Sequence, residues 1–168
     1  CPKSAFILDN KIADEFIDLF VKEASKLKMG DPMDESTDIG PVINESAAIN
    51  IETSVNSAIE DGAELLLGGN RKDCFYEPTI LDNVNMKMGL VANETFGPIA
   101  PIIRVDGIDE AINAANDTQY GLQAGVFTEN IRSALRCANE IDAGSVLINK
   151  ESTFRTDAMP FGGFKSSG

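Results

Sequence analysis

Histidine and tryptophan are absent from this sequence of 168 residues. The absence of histidine excludes Ser-His-Asp and Cys-His catalytic groups from this chain, and it removes the commonest metal-ligating side chain. Basic residues are scarce, since 14 Lys and Arg are outnumbered by 27 Asp and Glu, and the formal net charge is −13. We therefore expect no nucleic-acid partner and no membrane partner, because nucleic acids and anionic membranes both bind clustered positive charge.

Long apolar runs and closely spaced cysteines are also missing. The longest apolar run, residues 97–103, is far shorter than the roughly 18 residues that span a bilayer. The three cysteines lie at positions 1, 74 and 137, too far apart for a CxxC metal or redox motif. We expect a cytoplasmic chain with reduced thiols and no bound metal, in which Cys74 and Cys137 are packed as small hydrophobic residues.

Short apolar runs alternate with amphipathic stretches along the chain. The apolar runs predict strands at residues 4–9, 63–67, 76–81, 99–105, 124–128 and 145–149. Helical spacing follows the first run, and it recurs from an Asn44 cap to about Asp61, from Ile108 to before Tyr120, and from a Thr128 cap to about Gly144. This alternation is typical of the α/β class, with an open, mostly parallel twisted sheet flanked by helices.

The length of the chain predicts a single domain over residues 1–168. Pro78 lies inside the 76–81 run, and a proline at that position indicates a strand at the sheet edge or a bend in the chain. Residues 150–168 have little periodicity, and loops of that length are often functional.

Two segments combine residue types that suit a nucleotide or a substrate. Residues 93–98 hold an acid, Glu94, and an aromatic ring, Phe96, before a Gly-Pro turn. The carboxylate can accept hydrogen bonds from a ribose diol while the ring covers a flat heterocycle; the alternative is a solvated acid beside a core phenylalanine. Residues 159–165 contain paired glycines without GxGxxG or GxxxxGK spacing, so they form either a ligand-facing turn or a turn clamped by two phenylalanines.

Cys1 is the remaining cysteine, and it lies outside the predicted strands and helices. A reactive thiol needs a pKa that is lowered by a helix N-terminus, a cation or a base. The nearest cation in the sequence is Lys3. Cys1 is therefore a candidate nucleophile.

Seven distinct sequence blocks follow one another along the chain, among them ETFGP at residues 94–98 and MPFGGFKSSG at residues 159–168. The full set covers residues 26–43, 60–69, 76–84, 93–102, 115–128, 143–149 and 159–168. Together they resemble the aldehyde dehydrogenase superfamily, specifically the domain that carries its nucleophilic cysteine. The resemblance implies oxidation of a small aldehyde to a carboxylate with NAD or NADP, through a thiohemiacetal formed by a cysteine thiolate.

The resemblance implies roles for individual residues. Cys1 matches the catalytic nucleophile or the residue directly after it. Glu94 matches the glutamate that binds the nicotinamide ribose, and Phe96 matches the ring that lines the nicotinamide. Asn149 and Phe161 match the loop that closes the active site, which implies that both bind substrate.

Arg155 is the implied specificity residue of the same loop. The pattern STFRTDAMPFGG of residues 152–163 resembles the branch that oxidises small polar aldehydes such as lactaldehyde or succinate semialdehyde. Arg155 can clamp an anionic substrate group through two hydrogen bonds, because its guanidinium is planar and permanently charged. The alternative is a structural ion pair with Asp157.

Members of the superfamily are longer than 168 residues. The resemblance implies that a dinucleotide-binding domain precedes this chain, that an oligomerisation segment follows it, and that the parent is a homo-oligomer. The general base and the oxyanion-hole amide belong to the preceding domain, so we expect the chain alone to be inactive. The alternative is a non-enzymatic α/β remnant that serves as an association module.

Overall fold

The computed structural model describes residues 5–93 and 95–168. Their contacts divide the chain into two compact units, with the boundary between Val105 and Asp106. A compact unit is not necessarily an independently folding domain, so the single domain expected from the length stays a prediction. None of the helices within the described ranges is both long enough and apolar enough to cross a membrane.

The first unit is built around a four-stranded sheet. Its described elements are β1 (Phe6–Asp9), α1 (Asn10–Ala24), α2 (Glu45–Glu60), β2 (Glu64–Leu67), β3 (Arg71–Lys72), β4 (Phe75–Tyr76), β5 (Thr79–Asp82), α3 (Gly89–Ala92) and β6 (Ile99–Val105). The strand order is β1-β6-β5-β2. Strand β6 is parallel to β1 and β5, and β2 is antiparallel to β5, so the predicted open, mostly parallel sheet is confirmed.

The run predicted as one strand at residues 76–81 is broken at Pro78. Tyr76 ends β4, which pairs with β3 in a short hairpin, and Thr79 begins β5. Because β5 lies between β6 and β2, the predicted edge position is wrong and the predicted bend is correct. Proline has no amide hydrogen to donate to a neighbouring strand, so the central strand begins after it.

Helix α1 packs against the sheet through a buried apolar cluster. The cluster contains Leu8, Ala13, Ile17, Ala24, Ile80 and Ile102. Three phenylalanine rings, Phe6, Phe16 and Phe20, lie beside it with centroid separations of 5.0–6.2 Å. Removal of this apolar surface from water holds α1 on the sheet.

The second unit contains two small sheets. Its elements are α4 (Ile108–Asn116), β7 (Tyr120–Gly121), β8 (Gln123–Val126), α5 (Ile131–Glu140), β9 (Ser145–Ile148) and β10 (Phe164–Lys165). Strands β8 and β9 are parallel and are connected through α5, whereas β10 is antiparallel to β7. The predicted strand-helix-strand alternation is confirmed here, and the short β7–β10 pair was not predicted.

The helix caps agree with the sequence analysis in α2 and correct it in α5. Asn44 caps α2 as predicted. The predicted cap Thr128 is wrong, because the carboxamide of Asn130 accepts the amides of Arg132 and Ser133, the second and third residues of α5, while the Thr128 hydroxyl accepts the Asn130 amide. Helix α5 also ends at Glu140, earlier than the predicted end near Gly144.

Candidate functional site

Cys1 and Glu94, which the resemblance links to catalysis and cofactor binding, lie outside the described residues. Their roles stay predictions. The other candidates are described in both units: Phe96 in the first, and residues of the loop after β9 in the second.

Phe96 is 65% exposed and lies directly before the bend at Gly97 and Pro98. We call residues 95–98 the Phe96 turn. Directly after Phe96, Gly97 packs against the buried side chain of Ile51 in α2. The Pro98 carbonyl accepts a hydrogen bond from the Thr79 amide at 2.9 Å, which joins the turn to β5. The alternative of a core phenylalanine is therefore wrong, and the ring is accessible to a flat ligand.

A charge pair missed by the sequence analysis lies at the start of the connection from β5 to β6. Asp82, the last residue of β5, is 3% exposed. Its Oδ2 accepts hydrogen bonds from Arg104 Nε at 3.0 Å and Nη2 at 2.8 Å, and Arg104 Nη1 lies 2.8 Å from Asp14 Oδ1. The two carboxylates, Asp82 first, raise the pKa of Arg104 above its ordinary value. The pair joins the C-terminal ends of β5 and β6, the two strands between which the connection with Phe96 runs.

The side chain of Asn149, directly after β9, is hydrogen-bonded within its own unit. Its Oδ1 accepts the Thr128 amide at 2.9 Å, and its Nδ2 donates to the Thr128 carbonyl at 3.1 Å. Asn149 has a φ of 55°, a left-handed conformation that asparagine adopts more readily than most residues. Both polar atoms of the carboxamide are thus engaged by one residue, which favours a structural contribution over the implied substrate contact.

Arg155 stacks on an aromatic ring in the exposed loop after β9. Its Cζ lies 4.5 Å from the centroid of the Phe161 ring, and its Nη2 donates to the Met159 carbonyl at 3.4 Å. Within residues 5–93 and 95–168 it forms no ion pair, so the alternative pairing with Asp157 is wrong. An exposed ion pair gains little free energy, whereas a guanidinium can stack on a ring and keep several donors directed at solvent.

The paired glycines at residues 162 and 163 are not clamped by aromatic rings. The flanking side chains, Phe161 and Phe164, are both largely exposed. The alternative of a turn clamped by two phenylalanines is therefore wrong, and the Phe161 ring instead supports Arg155.

The two described cysteines differ in burial. Cys137 lies in α5 and is buried, as predicted, and burial raises the pKa of its thiol above the ordinary value. Cys74 is only half-buried, so its predicted packing is confirmed in part. A thiol with a raised pKa is a poor nucleophile at neutral pH, and Cys137 is therefore unsuited to thiolate chemistry.

The chain matches the aldehyde dehydrogenase family over residues 2–168. It is 43% identical to the lactaldehyde dehydrogenase of Methanococcus maripaludis over 162 residues, which are 96% of this chain and 35% of the relative. It is 46% identical to the 3-sulfolactaldehyde dehydrogenase of Priestia aryabhattai over 153 residues, which are 91% of this chain and 32% of the relative.

The fold is also similar to a solved structure. The crystal structure of glyceraldehyde-3-phosphate dehydrogenase from Methanocaldococcus jannaschii, complexed with NADP, matches with a TM-score of 0.93 and 45% sequence identity. The match covers 97% of this chain and 35% of that one. The chain therefore spans about a third of the length of these relatives.

Proposed function

Since this chain belongs to the aldehyde dehydrogenase family, we propose that it supplies the catalytic part of an enzyme that oxidises a small polar aldehyde to a carboxylate with NAD or NADP. The relatives support this proposal, because they are named for lactaldehyde, 3-sulfolactaldehyde and glyceraldehyde 3-phosphate. The observation that carries the substrate part of the proposal is the guanidinium of Arg155, which is stacked on Phe161 and has no acidic partner among the described residues.

The Phe96 turn fits a nicotinamide. Its ring is exposed, and the backbone on its C-terminal side is held by Ile51 and Thr79. A flat ring on a fixed backbone can cover one face of a heterocycle without first being ordered, which lowers the entropic cost of binding. Glu94 is proposed to accept hydrogen bonds from the nicotinamide ribose. When bound, the oxidised nicotinamide supplies a hydride acceptor.

Cys1 is proposed as the nucleophile or as the residue directly after it. A thiolate at this position attacks the aldehyde carbon and forms a thiohemiacetal, loss of hydride gives a thioester, and water releases the carboxylate and regenerates the thiol. The attack requires no histidine in this chain, which has none. A cytoplasmic location is proposed with it, because a reducing compartment keeps the thiol free.

Arg155 is proposed as the residue that recognises an anionic group on the aldehyde. Stacking on the Phe161 ring leaves guanidinium donors for a sulfonate, phosphate or carboxylate. The ring also restricts the orientation of the guanidinium before substrate arrives, so less side-chain entropy is lost on binding. Phe161 would then assist substrate binding through Arg155.

The 168 residues are proposed to be inactive alone. The general base and one oxyanion donor are implied by the family resemblance to belong to other parts of the enzyme, and loss of one oxyanion donor typically costs about 10²–10³ in rate. A homo-oligomeric parent is proposed on the same resemblance. The assay therefore needs an assembled enzyme, in which this chain replaces the matching third of the Methanocaldococcus jannaschii enzyme.

Arg155→Ala in the assembled enzyme tests the proposed substrate class. We expect kcat/KM for glyceraldehyde 3-phosphate to fall roughly 10–150-fold, which corresponds to the roughly 1.5–3 kcal/mol of a lost charged hydrogen bond. The kcat/KM for neutral lactaldehyde should change little. Lys72→Met is the matched control, since Lys72 is exposed on β3 and its ammonium group has no hydrogen-bond or ion-pair partner in the described part of the chain. An equal loss for both aldehydes would leave Arg155 with only a structural contribution.

A further inference from the structure

Arg155 and Phe161 lie in a segment that has no helix or strand of its own. This segment, residues 150–163, connects β9 to β10 and is exposed at most positions, and we call it the Arg155 segment. Contacts inside the segment, such as the stacking on Phe161, orient the guanidinium relative to the segment, but no residue of the segment is buried to fix the position of the segment itself. The position must depend on how the two ends are held.

The first end is held by Asn149. In addition to its two side-chain hydrogen bonds with Thr128, its amide donates to the Val126 carbonyl at 2.7 Å. The Thr128 hydroxyl in turn accepts the amide of Asn130, and Asn130 caps α5. The start of the segment is therefore tied through three polar residues to the N-terminus of a regular helix.

The second end is held by Lys165. Its Nζ donates to the Asn116 carbonyl at 2.8 Å and lies 3.8 Å from Asp142 Oδ2. The Asn116 carbonyl belongs to the last turn of α4, where an ammonium group also interacts favourably with the helix dipole. Lys165 has a φ of 55°, which is uncommon outside glycine, so its conformation depends on these contacts.

The end near Lys165 has little room to move. Gly144 packs so closely on the Gly162 carbonyl that a Cβ at position 144 would overlap with it. The Ser166 amide donates to the Gln119 carbonyl at 3.0 Å, and the Gly121 amide donates to Ser167 Oγ at 3.2 Å. The hydrogen bond of the Lys165 ammonium is thus one of several contacts that hold this end against the turn after α4.

We propose that Asn149 and Lys165 are positioning residues that determine where Arg155 presents its guanidinium, and that they thereby set the preference for anionic over neutral aldehydes. The inference rests on the proposed clamp function of Arg155. Neither residue touches the substrate in this scheme. They position the guanidinium of Arg155 by holding the two ends of the Arg155 segment.

The test measures a selectivity ratio in the assembled enzyme, which is kcat/KM for glyceraldehyde 3-phosphate divided by kcat/KM for lactaldehyde. This ratio does not depend on the fraction of enzyme that is folded, so a merely structural loss leaves it unchanged. We expect Lys165→Met and Asn149→Ala to lower the ratio roughly tenfold, less than the ~10²-fold that a 1 Å misplacement can cost. The loss should appear as a higher KM for the anionic aldehyde, and Lys165→Arg should restore most of it.

Hydrogen exchange of residues 150–163 in the same variants tests the two anchors independently of activity. We expect faster exchange in Lys165→Met and Asn149→Ala, and unchanged exchange in the Lys72→Met control. Unchanged exchange in Lys165→Met and Asn149→Ala would overturn the proposal. So would faster exchange with an unchanged selectivity ratio in these variants, provided that Arg155→Ala lowers the ratio. If Arg155→Ala itself leaves the ratio unchanged, the clamp function fails, and the positioning proposal falls with it.

Discussion

The Phe96 turn and the Arg155 segment are held in different ways. The turn is supported by the buried side chain of Ile51 and by the amide of Thr79 in β5, a strand that ends at the buried Asp82. The Arg155 segment is held at its ends by the polar side chains of Asn149 and Lys165, both at the surface. The residue proposed to contact the cofactor therefore depends on the core, whereas the residue proposed to select substrate depends on surface contacts that can change without loss of the fold.

The largest effect on stability is expected for Asp82→Ala. The substitution leaves the Arg104 guanidinium without its buried partner, and we expect a loss of about 3 kcal/mol, the low end for a broken buried pair because Arg104 is partly exposed. Asp14→Ala removes the exposed carboxylate from the same guanidinium and should cost below ~1 kcal/mol. Urea unfolding of the 168-residue chain measures both. Equal losses would contradict the distinction between buried and surface support.

A smaller effect is expected for Gly97→Ala. The new Cβ would lie 2.5 Å from Ile51 Cδ1, the far end of a flexible side chain that can shift, so we expect a loss of about 1 kcal/mol, the low end for crowding in a packed core. Because Ile51→Val removes Cδ1, the double variant Gly97→Ala/Ile51→Val should recover part of the lost stability. Comparison of the wild type, the two single variants and the double variant gives the coupling energy between the two positions. In the assembled enzyme, Gly97→Ala should also raise the KM for NADP. Additive losses in stability would show that the Gly97 contact does not support the Phe96 turn.

The effect that is smallest near neutral pH is expected for Tyr76→Phe, because ionisation of Tyr76 changes the stability of the chain only above pH 10. Burial first, and then Glu52 and Glu77, raise the pKa of Tyr76 to about 12 from an ordinary value of 10.0. A phenol that holds its proton more tightly when folded contributes stability that is complete below pH 10 and is lost as the pH rises towards 12. Between pH 10 and 12, the free energy of unfolding of the wild-type chain should therefore fall by up to ~1.4 kcal/mol per pH unit more than that of Tyr76→Phe. Parallel stability profiles of the two chains above pH 10 would contradict the burial of this hydroxyl.

The sequence predicted most of what depends on neighbouring residues. Short apolar runs located the strands of the main sheet. Asn44 was predicted as a cap because an asparagine before a helical pattern can accept a backbone amide, which it does from Ala47. Where two residues can both cap the same helix, as Thr128 and Asn130 can before α5, the sequence pattern favoured the wrong one. The break at Pro78 was predicted as one of two alternatives, and the sheet order decided between them.

The contacts that hold the candidate site were beyond prediction from the pattern. Asp82 and Arg104 are 22 residues apart, and Asn149 and Thr128 are 21 apart. Such pairs are brought together by strand pairing, and nothing in the local sequence of either partner indicates the other. Resemblance alone pointed to Arg155, and the structure then replaced its expected partner, Asp157, by the ring of Phe161.

We propose that these residues contribute to aldehyde oxidation but do not suffice for it. The most direct measurement compares NADPH formation from glyceraldehyde 3-phosphate by the assembled enzyme and by the 168-residue chain alone, with circular dichroism confirming that both are folded. We expect turnover by the assembled enzyme and none above thiol background by the chain alone. Turnover by the chain alone would contradict the claim of insufficiency, and a folded but inactive assembled enzyme would favour the non-enzymatic alternative.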